Sequence, residues 1–206
     1  GFAMGIYGLT QGLLQLPYGI ASDRMGRKIV IVFGLIVFAF GSLVAASAST
    51  VTELMLGRAI QGAGAVSAAV SALLADQTRD QVRTKAMALI GASIGLMFAL
   101  SLVASSAITA AIGFSGLFVL TCVLAVAGIA VVLFWTPPEQ LHRAAGPGPS
   151  VLSLLQQPAL ARLFFGVFVL HAVQLAMWMA IPQLLVQAGW VKDSHWQIYL
   201  PALLGS

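Results

Sequence analysis

The chain has 206 residues, of which 60% are hydrophobic and only 8% charged, with a mean hydropathy of +0.99 and a formal net charge of +4. A water-soluble domain carries roughly 25% charged residues, so this composition excludes an ordinary soluble fold. It points to an all-α polytopic membrane protein whose spans each need about 20 apolar residues.

Apolar runs near 1–21, 29–49, 53–75, 86–108, 114–135 and 161–188 each fit a span, and a further run opens near 195. The opening Gly1-Phe-Ala-Met lacks the charged n-region and cleavage site of a signal peptide and reads as the interior of a longer chain. In the first run Gln11 and Gln15 share a helix face, either lining a cavity or joining helices, while Gly1, Gly5, Gly8 and Gly12 recur at intervals suited to close helix packing. The connection that follows, Gly19-Ile-Ala-Ser-Asp23-Arg24-Met-Gly26-Arg27-Lys28, sets four charged residues and two glycines between two apolar runs, a turn that belongs at a membrane surface.

The third run, 53–75, holds Arg58 with Gln61 one turn further on, among Gly57, Gly62 and Gly64. A central cation is disfavoured by roughly 2.5–3.5 kcal/mol on insertion scales. Arg58 therefore faces a cavity or a partner, or else snorkels to the interface from its place near the helix start. No Asp or Glu lies deep in a span: Glu53 sits at an outer helix end, Asp76 and Asp80 in the connection 76–85, and Asp23 in the first turn. A proton carried by a buried carboxylate would need one outside these residues.

In the fourth run Gly91-Ala-Ser93-Ile-Gly95 spells a nucleophile elbow, which requires a strand-to-helix turn that an apolar helix does not supply. Gly113-Phe-Ser115-Gly116, with His171, is similar to the serine and histidine of rhomboid-type intramembrane proteases, but here the serine falls in an outer loop rather than down in a cavity, and the His171 helix lies beyond the Pro/Gly linker. Cys122 stands alone in an apolar run, so no disulfide framework or Cys-based metal site arises within the chain. The remaining connections, 22–28, 50–52, 76–85 and 189–194, are as short, so consecutive helices are expected to be antiparallel neighbours. The stretch 136–160 is the exception: with five prolines it divides a unit 1–135 from a second unit 161–206. In the later run His171 and Gln174 form a polar patch, followed by Pro182 and Gln183. These are either cavity-lining residues or interhelical hydrogen-bonding groups.

A basic balance could signal a nucleic-acid partner, but the placement of the basic residues argues otherwise. Arg24, Arg27, Lys28, Arg79, Arg83, Lys85, Arg143 and Arg162 all fall at alternate junctions, against Lys192 on the other side. By the positive-inside bias these junctions, 22–28, 76–85 and 136–160, are cytoplasmic, and no nucleic-acid partner is expected.

The first turn resembles the G-x-x-x-D-R-x-G-R-K loop of the major facilitator superfamily through Gly19, Asp23, Arg24, Gly26, Arg27 and Lys28. Arg58-Ala-Ile-Gln61-Gly62-Ala-Gly64 is similar to the R-x-x-Q-G-x-G of that family's fourth helix. Ile6-Tyr-Gly-Leu-Thr-Gln11, Arg83-Thr-Lys-Ala-Met87 and His195-Trp-Gln-Ile-Tyr-Leu200 resemble its YajR-type drug:proton antiporter branch. The resemblance implies a partial fold of about six and a half of twelve helices, the second to the seventh with the start of the eighth, working by alternating access.

By the same analogy Asp23, Arg24, Arg27, Lys28 and Asp76 form a cytoplasmic gate latch, with Arg27 paired to Asp76 and with Gly19 and Gly26 permitting close helix approach. Arg58, Gln61 and Gly62 serve proton coupling, and Gln11, Gln15, His171, Gln174 and Trp178 face the substrate cavity. The implied activity is efflux of hydrophobic or amphiphilic compounds driven by a proton gradient, with no cofactor, no metal and no enzymatic step. A monomer in the lipid bilayer of the bacterial inner membrane, acting on a small-molecule substrate, completes the expectation. Transport of a defined metabolite is the alternative. One departure stands out: the fifth-helix antiporter signature G-x8-G-x3-G-P, aligned on Gly91, meets Leu100, Ala104 and Ser105 where Gly, Gly and Pro are expected.

Overall fold

The computed structural model describes residues 2–64, 66–139, 156–191 and 194–204. These residues form helices and no strand: α1 (Phe2–Met25), α2 (Arg27–Ala46), α3 (Val51–Ala63), α4 (Ser67–Gln77), α5 (Asp80–Phe134), α6 (Pro158–Gln187) and α7 (Trp196–Leu204). Among the described residues five stretches are long and apolar enough to cross a membrane: Arg27–Ala46, Val51–Gln77, Asp80–Ser105, Ala107–Phe134 and Pro158–Gln187. Helix α1, with 24 residues, is also long enough, about 36 Å at 1.5 Å per residue, but its glutamines and glycines make it less apolar than those five.

The connections are shorter than the sequence suggests. The turn expected over 22–28 reduces to Gly26, and that over 76–85 to Thr78 and Arg79. Apolar runs mark where the bilayer ends, whereas backbone hydrogen bonding carries a helix onward into water. Gly26 has φ 103°, a left-handed conformation that a side chain disfavours. The outer connection expected over 109–113 is likewise helical except at Gly113, whose φ of 72° and ψ of 177° divide α5 into arms 80–112 and 114–134. Pro158 already lies in the first turn of α6, so the expected linker 136–160 ends earlier than its prolines indicate, and most of it lies outside the described residues.

The single run expected over 53–75 is two helices. Helix α3 starts on a capping box in which Thr50 Oγ1 accepts from Glu53 N and Glu53 Oε2 from Thr50 N, both at 3.2 Å. It ends at Gly64, whose N–H donates to the carbonyls of Ile60 and Gln61. Two glycines in three residues weaken the helix here, and a Cβ on Gly64 would collide with the backbone of Phe38 and Gly34.

The chain divides into two compact units, Gly1–Arg143 and Ala144–Ser206. In the first, α2 packs against α3 and α5, and α1 against α3. Its core joins Val30, Ile31, Val66, Ala69 and Leu73, with Tyr18, Ala21, Leu35 and Val132 around them. The glycines expected to bring helices together divide sharply. A Cβ at Gly57 would meet Ala45 backbone atoms at 2.5–2.8 Å, and one at Gly62 would collide with Tyr7 O and Thr10 Oγ1. At Gly5, Gly8, Gly12, Gly91 and Gly95 nothing lies within 4 Å, so these five do not mediate close packing among the described residues. Gly41, passed over in the sequence, does: its Cβ would fall 2.5 Å from Gln61 N. In the second unit α6 has no buried residue among those described, and its Trp178 ring packs at a tilt of 55° against Tyr199 of α7 with centroids 5.2 Å apart.

Candidate functional site

The charged turn is organised around Arg27. Its guanidinium contacts Asp23, donates from Nε to Asp76 Oδ2 at 3.0 Å and from Nη1 to Ser22 Oγ at 2.7 Å. The Ser22 hydroxyl passes the chain of bonds on to the Gly19 carbonyl at 2.7 Å. The Arg27 side chain is 19% exposed while Asp23 and Asp76 are 56% and 44% exposed, so each pair alone contributes at most about 1 kcal/mol. What distinguishes the arrangement is that one fork holds α1, α2 and α4 together. Arg24 is exposed. Gly19 departs from expectation: a Cβ there meets nothing within 4 Å, so it makes no close approach among the described residues, and the role of Gly26 is its backbone conformation.

Glu139 enters this network unforeseen. Helix α2 begins with Gly26, which provides no side-chain cap, and its first turn holds two cations and no acid. Cations near a helix N-terminus oppose the helix dipole. Glu139 Oε2 accepts from Arg27 N at 2.7 Å and Lys28 N at 3.2 Å, satisfying two of the free amides. Around it, Lys28 Nζ donates to Thr136 O at 2.6 Å and Gln77 Nε2 to Pro137 O at 3.2 Å. The segment 136–139 is thus tied to α2 and α4. An acid directly after an apolar run, on the same cytoplasmic side as the basic turn, is the signal that could have identified it.

The second cluster surrounds Arg58. Its guanidinium lies 4.3 Å from the centroid of the Tyr7 ring, and Nη1 donates to Gln61 Oε1 at 2.7 Å. Gln61 is fully buried and donates from Nε2 to Ser42 Oγ at 2.7 Å, while Ser42 donates to Phe38 O at 2.8 Å. A cation over an aromatic face gains about 0.5–2 kcal/mol, and a hydrogen bond to a charged group about 1.5–3 kcal/mol. Together they match the cost of placing arginine within a span. Arg58 therefore faces partners on α1 and α3, and Gly62 keeps α1 close enough for Tyr7 to reach it. Ser42, a hydroxyl in the middle of the α2 apolar run, and Tyr7 were the unassigned members.

The expected cavity residues belong to both units, Gln11 and Gln15 to the first and His171, Gln174 and Trp178 to the second. Gln15 Nε2 donates to Ser67 Oγ at 2.6 Å, an interhelical bond between α1 and α4, and its Oε1 is buried without a partner among the described residues. Gln11 is partly exposed. In the second unit His171 and Gln174 are exposed, and His171 Nδ1 pairs with Val167 O of its own helix at 2.9 Å. Trp178 packs against Tyr199, whose ring also meets His195 edge-on at 6.2 Å. Ser93 Oγ donates to Leu89 O in its own helix, and Ser115 is exposed. Among the described residues no group of three or more His, Cys, Asp or Glu could hold a metal ion.

The family profile described as Major Facilitator Superfamily matches residues 1–206. The chain belongs to this family. Major facilitator relatives include the inner membrane transport protein YajR of Escherichia coli (strain K12), 45% identical over 208 residues that cover 99% of this chain and 46% of the relative. An uncharacterized transporter of Buchnera aphidicola subsp. Schizaphis graminum is 35% identical over 210 residues, covering 100% of this chain and 54% of its own. Multidrug resistance protein D of Escherichia coli (strain K12) is 48% identical over 61 residues, 30% of this chain and 16% of that protein. The chain spans about half the length of the first two relatives. Its helices are those of a partial major facilitator bundle in a multi-pass inner-membrane protein.

Proposed function

We propose that the protein to which these residues belong exports hydrophobic or amphiphilic small molecules by alternating access, in exchange for protons and without a cofactor, as a monomer. The observation that carries the reading is the Arg58–Gln61–Ser42 chain over Tyr7, which holds a cation inside a span with no carboxylate counterion among the described residues. Such a cation is electrostatically sensitive to a proton bound nearby, because charges interact strongly where the dielectric is low. Efflux is favoured over uptake by the partial likeness to a protein named for multidrug resistance. The Arg27 network with Asp23, Asp76 and Glu139 acts as the cytoplasmic latch, stabilising the outward-open state and breaking when the halves part.

The test is substrate-driven proton movement in vesicles containing the full-length protein. Addition of an amphiphilic cation should change lumenal pH, and Arg58→Met should uncouple that movement. Transport of a defined metabolite is the competing reading. A full-length protein that moves protons only with a sugar or organic acid would establish it instead.

A further inference from the structure

An apolar cavity of about 530 Å³ runs between α1 and α2 beside the charged turn, lined by Leu14, Pro17, Tyr18, Ala21, Ile29 and Phe33 among others. Ile29 and Phe33 are 57% and 58% exposed, so the cavity is an open groove among the described residues. Its inner wall is firm, because Tyr18 and Ala21 pack against the core of the unit. Water has no polar partners there, and the small Ala21 beside Pro17 leaves space that a longer side chain would fill. The groove suits a hydrocarbon chain.

Its surface end lies at Met25 and Ile29, on either side of the Gly26 turn. Of the three cations in that turn, Arg27 is engaged by Asp23, Asp76 and Ser22, and Lys28 Nζ by the Thr136 carbonyl. Arg24 is exposed and has no hydrogen-bond or ion-pair partner among the described residues. It stands one turn along α1 from Ala21, next to Met25. Asp23, the nearest acid, is already paired with Arg27, which blunts its repulsion of an anion. The positive-inside pattern puts this end in the cytoplasmic leaflet.

We infer that the α1–α2 groove is a binding site for one anionic phospholipid of the cytoplasmic leaflet, with an acyl chain along Leu14 to Phe33 and the headgroup phosphate on Arg24. The acyl chain supplies the affinity. The arginine supplies a preference for anionic over zwitterionic headgroups of about five-fold, the attraction of one cation at an anionic surface.

Native mass spectrometry of the full-length protein, titrated with phosphatidylglycerol, with phosphatidylcholine of the same chains, and with sn-glycerol 3-phosphate, tests this. Phosphatidylglycerol should be retained about five-fold more tightly than phosphatidylcholine. Arg24→Gln should erase that preference while leaving phosphatidylcholine bound, and Ala21→Phe should weaken retention of both lipids. Equal retention of the two lipids by the unsubstituted protein, or a preference that survives Arg24→Gln, overturns the site. Competition by glycerol phosphate, with no effect of Ala21→Phe, would reduce it to a surface phosphate contact and overturn the groove.

Discussion

Replacing Glu139 by Ala should loosen the start of α2 without unfolding the bundle. The carboxylate accepts from Arg27 N at 2.7 Å and Lys28 N at 3.2 Å, and Gly26 leaves no local substitute for it. A cap of this kind is worth about 0.5–2 kcal/mol, and its charge at a helix N-terminus adds about 0.3–1 kcal/mol. The combined loss, about 1–3 kcal/mol, corresponds to a shift of roughly 5- to 150-fold in local opening. Hydrogen exchange resolved to the peptide covering 26–32 reads this directly, since the Arg27 and Lys28 amides lose their acceptor. Glu139→Gln keeps an acceptor oxygen and removes only the charge, so it should recover about half of the protection. Unchanged exchange in the alanine variant, or equal exchange in both variants, would refute the cap.

Ser42→Ala removes the acceptor of the buried Gln61 amide and should lower stability by about 0.6–2 kcal/mol, seen as a reduced melting temperature in detergent; no change would mean Gln61 has another partner. Gly57→Ala places a methyl 2.5–2.8 Å from Ala45 atoms and should cost about 1–3 kcal/mol, whereas Gly12→Ala, with nothing within 4 Å, should be tolerated. Equal melting temperatures for these two variants would contradict the packing. Asp23→Asn weakens one of the two carboxylate contacts of a half-exposed network, a change of about 0.2–1 kcal/mol. Folding should persist while cysteines introduced on the cytoplasmic side of the full-length protein become more accessible; unchanged labelling would count against the latch.

Where a feature was legible in the sequence, its partners lay close along the chain or it needed none. The membrane class follows from composition, and the charged turn announces itself because Asp23, Arg24, Arg27 and Lys28 crowd into six residues. Spacing misled where it describes one helix but not its neighbour. Gly5, Gly8 and Gly12 are spelled like a packing stripe, yet a Cβ there meets nothing within 4 Å, whereas Gly41, Gly57, Gly62 and Gly64 have the backbone of another helix opposite them. Glu139 is marked in the sequence as an acid after an apolar run, but what it caps is not, since its partners stand 112 and 111 residues away.

Arg58 shows both sides of this limit. Its cost in a span is written in the residue type, so the sequence demanded either an escape to the interface or partners, but the choice depended on α1 and α2. Gly62 lets α1 come near enough for Tyr7 to cover the guanidinium, and Gly41 lets α2 come near enough for Ser42 to reach Gln61. The two glycines thus determine which polar groups meet the cation, although neither carries chemistry. Because those groups are an aromatic face and an amide, the charge is accommodated without being neutralised. A carboxylate in their place would cancel the field that the proposed proton coupling requires.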